Sequence, residues 1–176
     1  GQVRTVAKPA DATLNFWRDL VLLELRSDWA SAGRSWPRGS LLVADATAYL
    51  KGGATLEALF TPTATRSLAG TSTTRSQVLL NVLDNVAGRA EAWSRDAVGQ
   101  WTKRDIPAPY PGTLAVHGLH DPQVKDDPLA EAYSATYTDF LTPDSLYLGS
   151  TMGGALEKIK SRPAFFNATG MKVEQR

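Results

Sequence analysis

The chain has 176 residues, 43% of them hydrophobic, which suits one ordinary domain able to bury a core. Nineteen Lys and Arg against eighteen Asp and Glu leave a net charge of +1 with no block of one sign, which argues against a dedicated nucleic-acid or membrane-surface protein. The absence of cysteine removes disulfides, thiolate zinc sites and cysteine nucleophiles, and five tryptophans with 9% aromatic content argue against disorder.

Short apolar runs follow one another along the chain: 20-LVLLEL-25, 41-LLVA-44, 56-LEALF-60, 78-VLLNVL-83, 113-TLAVHGL-119 and 145-SLYLG-149. Most are bounded by Gly, Pro, Asp, Asn or Ser, which marks them as β-strands, and several are apolar on both faces, as strands buried on both sides are. Ten prolines interrupt any long helix. One short helical turn is expected over 45-DATAYLKGG-53, with Asp45 as N-cap and Gly52 as its stop. At 127-DPLAEAY-133, Pro128 suits a first helical turn, but the following Ser-Ala-Thr-Tyr-Thr favours a strand. No apolar run reaches the roughly 20 residues of a membrane helix. No signal peptide is visible, and the chain opens on Gly rather than Met. It therefore reads as a piece of a longer polypeptide, with cytoplasm and periplasm both open as its compartment.

Three run ends align: 23-LELRSDW-29, 79-LLNVLDN-85 and 134-SATYTDF-140. Each reaches an aspartate, Asp28, Asp84 and Asp139, at spacings of 56 and 55 residues. A turn of small or helix-breaking residues follows each: Ser31-Ala32-Gly33, Val86-Ala87-Gly88 and Thr142-Pro143-Asp144. Further strands are expected at Leu56 to Phe60, Gln100 to Ile106 and Leu156 to Lys160, and upstream ones at Ser67 to Thr73 and Thr113 to Leu119. The pattern is a weak repeat of four-stranded antiparallel units, the arrangement of propeller blades, with a two-sheet sandwich as the alternative. The expected blades cover about residues 12–62, 65–107 and 112–161, with 162–176 as a further strand. An aspartate ending a strand accepts bonds from backbone N–H groups two residues on, so Asp28, Asp84 and Asp139 are expected to be structural turn residues rather than catalytic ones.

The segments 137-YTDFLTPDSLYLGS-150 and 163-PAFFNATGMKVEQR-176 resemble the prolyl oligopeptidase family of serine peptidases. Phe140, Thr142, Pro143 and Tyr147 match a segment of that family's last propeller blade, and Phe165, Val173, Glu174 and Gln175 match the strand leading to its peptidase domain. Upstream, 14-LNFWRDLVLLELRSDW-29 and 78-VLLNVLDNVAGRAEAW-93 look like bacterial members. The resemblance implies an all-β chain, a partial β-propeller of about three four-stranded blades. It further implies an α/β-hydrolase domain beyond this chain as partner, a gating role for the propeller, and cleavage of short peptides after proline.

The nucleophile elbow G-x-S-x-G is absent; 70-GTSTT-74 and 149-GSTMGG-154 do not fit it. The resemblance places the Ser, Asp and His of the triad in the domain beyond this chain, so no catalytic, cofactor or metal residue is expected here. His117, His120 and Asp121 lie in 117-HGLHD-121, where strand spacing of three residues points side chains to opposite faces unless Gly118 bends the chain. A strand end running into a polar loop is the expected reading. Asp121, Asp126 and Asp127 lack the alternating spacing of a calcium loop. The glycines of 51-KGG-53 and 152-MGGA-155 read as hairpin turns, and 167-NAT-169 is a glycosylation sequon that matters only in a secretory pathway. Trp17, Trp29, Trp36, Trp93 and Trp101 are expected to fill space between packed sheets. Arg66 and Arg75 bracket an inner strand and are expected to face the central tunnel. A free-standing β-rich module binding a peptide or glycan is the alternative function. A partial propeller has open faces and edges, so homo-oligomerisation is also expected.

Overall fold

The computed structural model describes residues 5–85, 87–108 and 112–172. The chain divides into two compact units, Gly1–Leu68 and Ala69–Arg176. The first holds β1 (Thr13–Trp17), β2 (Leu20–Glu24), β3 (Trp29–Ser31), β4 (Arg34–Trp36), β5 (Leu41–Asp45), α1 (Ala46–Leu50) and β6 (Glu57–Phe60). Strand β7 (Arg66–Thr73) crosses the division. The second unit continues with β8 (Gln77–Asp84), β9 (Ala87–Arg95), β10 (Trp101–Asp105), β11 (Thr113–Gly118), β12 (Ala132–Thr138), β13 (Ser145–Ser150) and β14 (Glu157–Ser161).

Three four-stranded antiparallel sheets result, ordered β1-β2-β5-β6, β10-β9-β8-β7 and β11-β12-β13-β14. This is the fold of a partial β-propeller with three blades. Each sheet is an up-and-down meander of sequence neighbours, which short turns permit and which keeps contacts local within a blade.

In the first sheet the apolar run of β2 is buried on both faces because it alternates against a second such run. Val21 and Leu23 pair with Ala44 and Leu42 and join one core with Tyr49 and Trp36. Leu20, Leu22 and Val43 are buried on the opposite face. Helix α1 is a single capped turn, with Asp45 Oδ1 accepting from the Ala48 N–H at 2.7 Å. Gly52 adopts φ 79° just beyond it, as a helix stop does.

The strand after Asp28 does not join the blade. Among the described residues, Trp29–Ser31 pairs only with Arg34–Trp36, in a separate two-stranded ribbon. Ala32 and Gly33 both have positive φ, 50° and 75°, so a two-residue turn folds the chain straight back. Trp36 anchors the ribbon in the core, and β5 supplies the third blade strand. At 127–131 the chain forms turns rather than a helix, and β12 begins at Ala132. Over 162–172, where a further strand is expected, the chain runs in bends and turns. Pro163 lacks the N–H that a ladder needs. Residues 173–176 lie outside the described residues.

In the second unit the β11–β14 sheet packs face to face on the β7–β10 sheet. Leu79, Ala90, Ala92 and Ile106 meet Leu114, Val116, Ala135 and Tyr137 in one buried core. Polar bonds stitch the same seam. The Asn81 side chain imitates a peptide unit: Nδ2 donates to the Val116 carbonyl at 3.0 Å, and Oδ1 accepts from the Val116 N–H at 2.7 Å. The Gly118 N–H donates to Ser72 Oγ at 3.1 Å. A Cβ on Gly118 would lie 2.0 Å from the Thr73 carbonyl oxygen, so the close approach of β11 to β7 admits only glycine there.

Asn81→Leu keeps the volume but strands the Val116 N–H and C=O in the seam. It is expected to lower stability by about 2–4 kcal/mol, read as a drop in the urea midpoint at unchanged slope. An unchanged midpoint would show that the seam does not depend on these bonds.

Candidate functional site

Because strands alternate in direction, the turns of the second unit fall at two opposite ends of its sheets. The end of β8 and start of β9, the turn 139–144, the start of β11 and the segment leaving β14 share one end. The turns 74–76, 96–100 and 151–156 and the long loop 119–131 share the other.

At the first end, a cavity of about 530 Å³ opens over the third sheet. Its lining is rich in hydroxyls, from Thr113, Thr136, Thr138 and Ser145, with Lys160 and Arg162 as its cations. Strand register explains the convergence: Thr113 lies opposite Thr138, and Thr136, Leu146 and Lys160 form one row across β12, β13 and β14. Arg162 Nε sits 3.3 Å from Asp144, so Lys160 supplies the less committed charge. Such a lining can bind polar or anionic groups.

Beside it, a smaller cleft of about 130 Å³ lies between the 139–144 turn and residues 162–166. Asp139 organises that turn. Its Oδ1 accepts from the N–H groups of Leu141 and Thr142 at 2.7 and 2.6 Å, and its Oδ2 accepts from the Tyr137 hydroxyl at 2.6 Å. Thr138 Oγ1 donates to the Thr142 carbonyl, and Ser145 Oγ to that of Pro143. Burial alone would push the Asp139 carboxyl upward, but the Tyr137 hydroxyl and the two amides outweigh it and hold it below the usual range. Burial, and then the Asp139 carboxylate, push Tyr137 well above the ordinary phenol value.

The other two repeated aspartates occupy the same topological position, between the second and third strands of their sheets, with different partners. Asp28 Oδ1 accepts from the Arg38 N–H at 2.7 Å, across the base of the β3–β4 ribbon. Asp84 accepts from Asn85 Nδ2 at 3.2 Å and stands 3.8 Å from Arg89. Val86 lies outside the described residues. Arg66 lies 5.8 Å over the Phe60 ring at the start of β7, and Arg75 is exposed in the turn after it, so the two stand at opposite ends of the strand. Trp17 and Trp36 are buried, whereas Trp29, Trp93 and Trp101 are half-buried.

The structure separates the two histidines. His117 is exposed on β11, whereas His120 Nδ1 meets Asp127 Oδ2 at 2.8 Å. Asp127 also accepts from the N–H groups of Asp121 and Leu129, so it ties the 119–131 loop together. The His120 bond first, then the backbone amides, hold its carboxyl below the usual range. Among the described residues, no three metal-ligating side chains come together, and neither imidazole is hydrogen-bonded to a serine or threonine hydroxyl. Sequence reasoning missed Glu131, whose Oε2 accepts from Thr74, Ser76 and Thr151 hydroxyls at 3.0, 2.8 and 2.8 Å. Its first two partners lie more than fifty residues upstream, so no local pattern announces it.

Both lowered carboxyls stabilise the fold fully above the ordinary aspartate value of about 3.9, and their contribution fades as pH falls through that value and below. Replacing Asp127 and Asp139 together by Asn is expected to lower Tm at neutral pH and to flatten its fall between about pH 5 and pH 2. A wild-type acid slope kept in full by the double variant would assign it to other groups.

No protein-family model matches the chain. It is 29% identical over 178 residues to an uncharacterized peptidase of Sinorhizobium fredii, covering 98% of this chain and 23% of that protein. A second uncharacterized peptidase, from Rickettsia prowazekii, is 28% identical over 152 residues, covering 84% of this chain and 20% of that one. Among solved structures, a post-proline cleaving enzyme from Rickettsia typhi superposes with a TM-score of 0.74 at 27% identity over 94% of this chain and 23% of its own. A prolyl endopeptidase superposes with a TM-score of 0.62 at 18% identity over 89% of this chain and 20% of its own, which is a likeness of fold. The chain thus spans about a quarter of the peptidases it resembles, and it matches a piece of their propeller part. The resemblance to the prolyl oligopeptidase family, read from 137–150 and 163–176, is borne out. Of the residues that carried it, Val173, Glu174 and Gln175 lie outside the described residues.

Proposed function

We propose that this chain is the non-catalytic propeller portion of a longer prolyl oligopeptidase-like serine endopeptidase. Its role is to select by size the peptides that reach a catalytic domain cleaving after proline. The observation that carries this reading is the superposition on the post-proline cleaving enzyme, over nearly the whole of this chain at 27% identity. The second unit supports it. Its sheets are locked face to face by Asn81, Ser72 and the close passage at Gly118, so this frame is stiff. A stiff frame can exclude large substrates, whereas a loose one would let them through. Strand β7, with Ser67, Thr71 and Thr73 on one face, presents small polar side chains suited to a wet passage, and Arg66 and Arg75 mark its two ends. In this reading those two cations flank the substrate path, and Asp28, Asp84 and Asp139 serve the turns.

The test is made on the longer enzyme that contains this chain. A short proline-containing peptide is expected to be cut after proline, while an unfolded full-length protein survives. Loosening the seam with Asn81→Ala should let the long substrate be cut while the short one is cut much as before. Equal cleavage of both substrates by the wild type would overturn the gating role. Arg66→Ala and Arg75→Ala variants with unaltered hydrolysis of either substrate would remove those residues from the path.

A further inference from the structure

Two phenylalanines stand almost bare at the end of the third sheet. Phe140 is 89% exposed and Phe165 87%, and Phe166 beside it is 51% exposed. All three border the small cleft between the 139–144 turn and residues 162–166. A bare aromatic is common on a floppy loop, but this loop is not floppy. The residues on either side of Phe140 are pinned: Asp139 N–H donates to the Thr142 carbonyl at 3.1 Å, and the Asp139 carboxylate takes Leu141 N–H, Thr142 N–H and the Tyr137 hydroxyl. The far side of the cleft is tied as well, by the Arg162 N–H on the Asp144 carbonyl at 2.9 Å. The turn therefore fixes the backbone that projects Phe140 outward, at the hydration cost of a large apolar ring. A rigid, pre-positioned aromatic at a shallow cleft is the form of an interface anchor, because its ordering cost is met before the partner arrives.

We propose that Phe140, Phe165 and Phe166 form the docking surface for the peptidase domain of the longer enzyme, an inference that rests on the functional reading above. Two observations choose this occupant. The peptidases that match this chain are more than four times its coverage in length, so most of such a protein lies elsewhere and must meet this part somewhere. The position of the patch also excludes a further blade as occupant. A blade would stack on the face of the third sheet, over Thr136 and Leu146. Phe140 instead caps the strand ends, where only a body approaching along the strand direction touches it. The opposite end of the second unit carries Val98 and Met152 as its most exposed apolar side chains, one on each of two separate turns, whereas Phe140, Phe165 and Phe166 border one cleft.

Hydroxyl-radical footprinting of the 176-residue chain and of the longer enzyme tests this. Phe140 and Phe165 are expected to oxidise readily in the short chain and to lose most of that oxidation in the long one. Val98 and Met152 should oxidise alike in both. Equal oxidation of Phe140 in the two, or protection of Val98 and Met152 in its place, would overturn the proposal. So would protection of Phe140 in the short chain with elution as a dimer, which would make a second copy the occupant. A Phe140→Asp variant of the longer enzyme should regain the oxidation of Phe165. Hydrolysis after proline is scored separately on the same enzyme: protection without such hydrolysis keeps the docking surface and rejects the proline-specific reading.

Discussion

Strand β11 is an edge strand that is not allowed to behave as one. Its residues 113, 115 and 117 turn their backbone groups toward β12, which leaves those of 114, 116 and 118 pointing the other way, into the packed seam with the second sheet. Buried backbone groups must find partners. The Val116 N–H and C=O find them in one asparagine side chain, and the Gly118 N–H finds one in a serine hydroxyl. With those bonds made, the two sheets of the second unit can approach closely enough for Leu79 and Ala92 to bury against Val116 and Ala135. Without them, burial of the same apolar area would leave polar groups dry.

The same logic runs to both ends of the seam. At one end a single carboxylate oxygen of Glu131 gathers three hydroxyls, from Thr74, Ser76 and Thr151, while Arg104 and Gln77 donate to the Thr151 carbonyl at 3.0 and 3.1 Å. At the other end Asp139 gathers two amides and a phenol. Each of these acids ties together segments that would otherwise be free to part. The result is a frame whose loops are positioned by polar bonds rather than by bulk. That is how a turn at the sheet end can display an exposed phenylalanine without losing its shape.

The β-strands were legible because their signals are local. Six apolar runs bounded by turn residues became strands at nearly the boundaries their sequences suggest, and the helical turn capped by Asp45 formed where expected. The β3–β4 ribbon was less legible, since Ala32 at positive φ is an unusual partner for Gly33 in a two-residue turn. The repeated aspartates illustrate the limit well. Their spacing placed all three between second and third strands, yet one caps its own turn, one reaches ten residues on to Arg38, and one stands beside Arg89. Topological position follows from the repeat, whereas a carboxylate's partner follows from what folds next to it.

By itself, the sequence determined an all-β chain of short meandering strands and the absence of a nucleophile elbow. It also carried the resemblance to proline-cleaving peptidases in 137-YTDFLTPDSLYLGS-150. Those properties depend on side-chain period and on motifs within a few residues, which the chain carries before it folds. Tertiary structure alone decided that Asn81 bonds Val116, that Gly118 is glycine because Thr73 passes over it, and that Glu131 is a hub. It also decided that Phe140 stands bare on a clamped turn. Each of these depends on the face of one strand, or the length of one loop, meeting another element at a distance no local pattern encodes. The packing of whole sheets sets that distance.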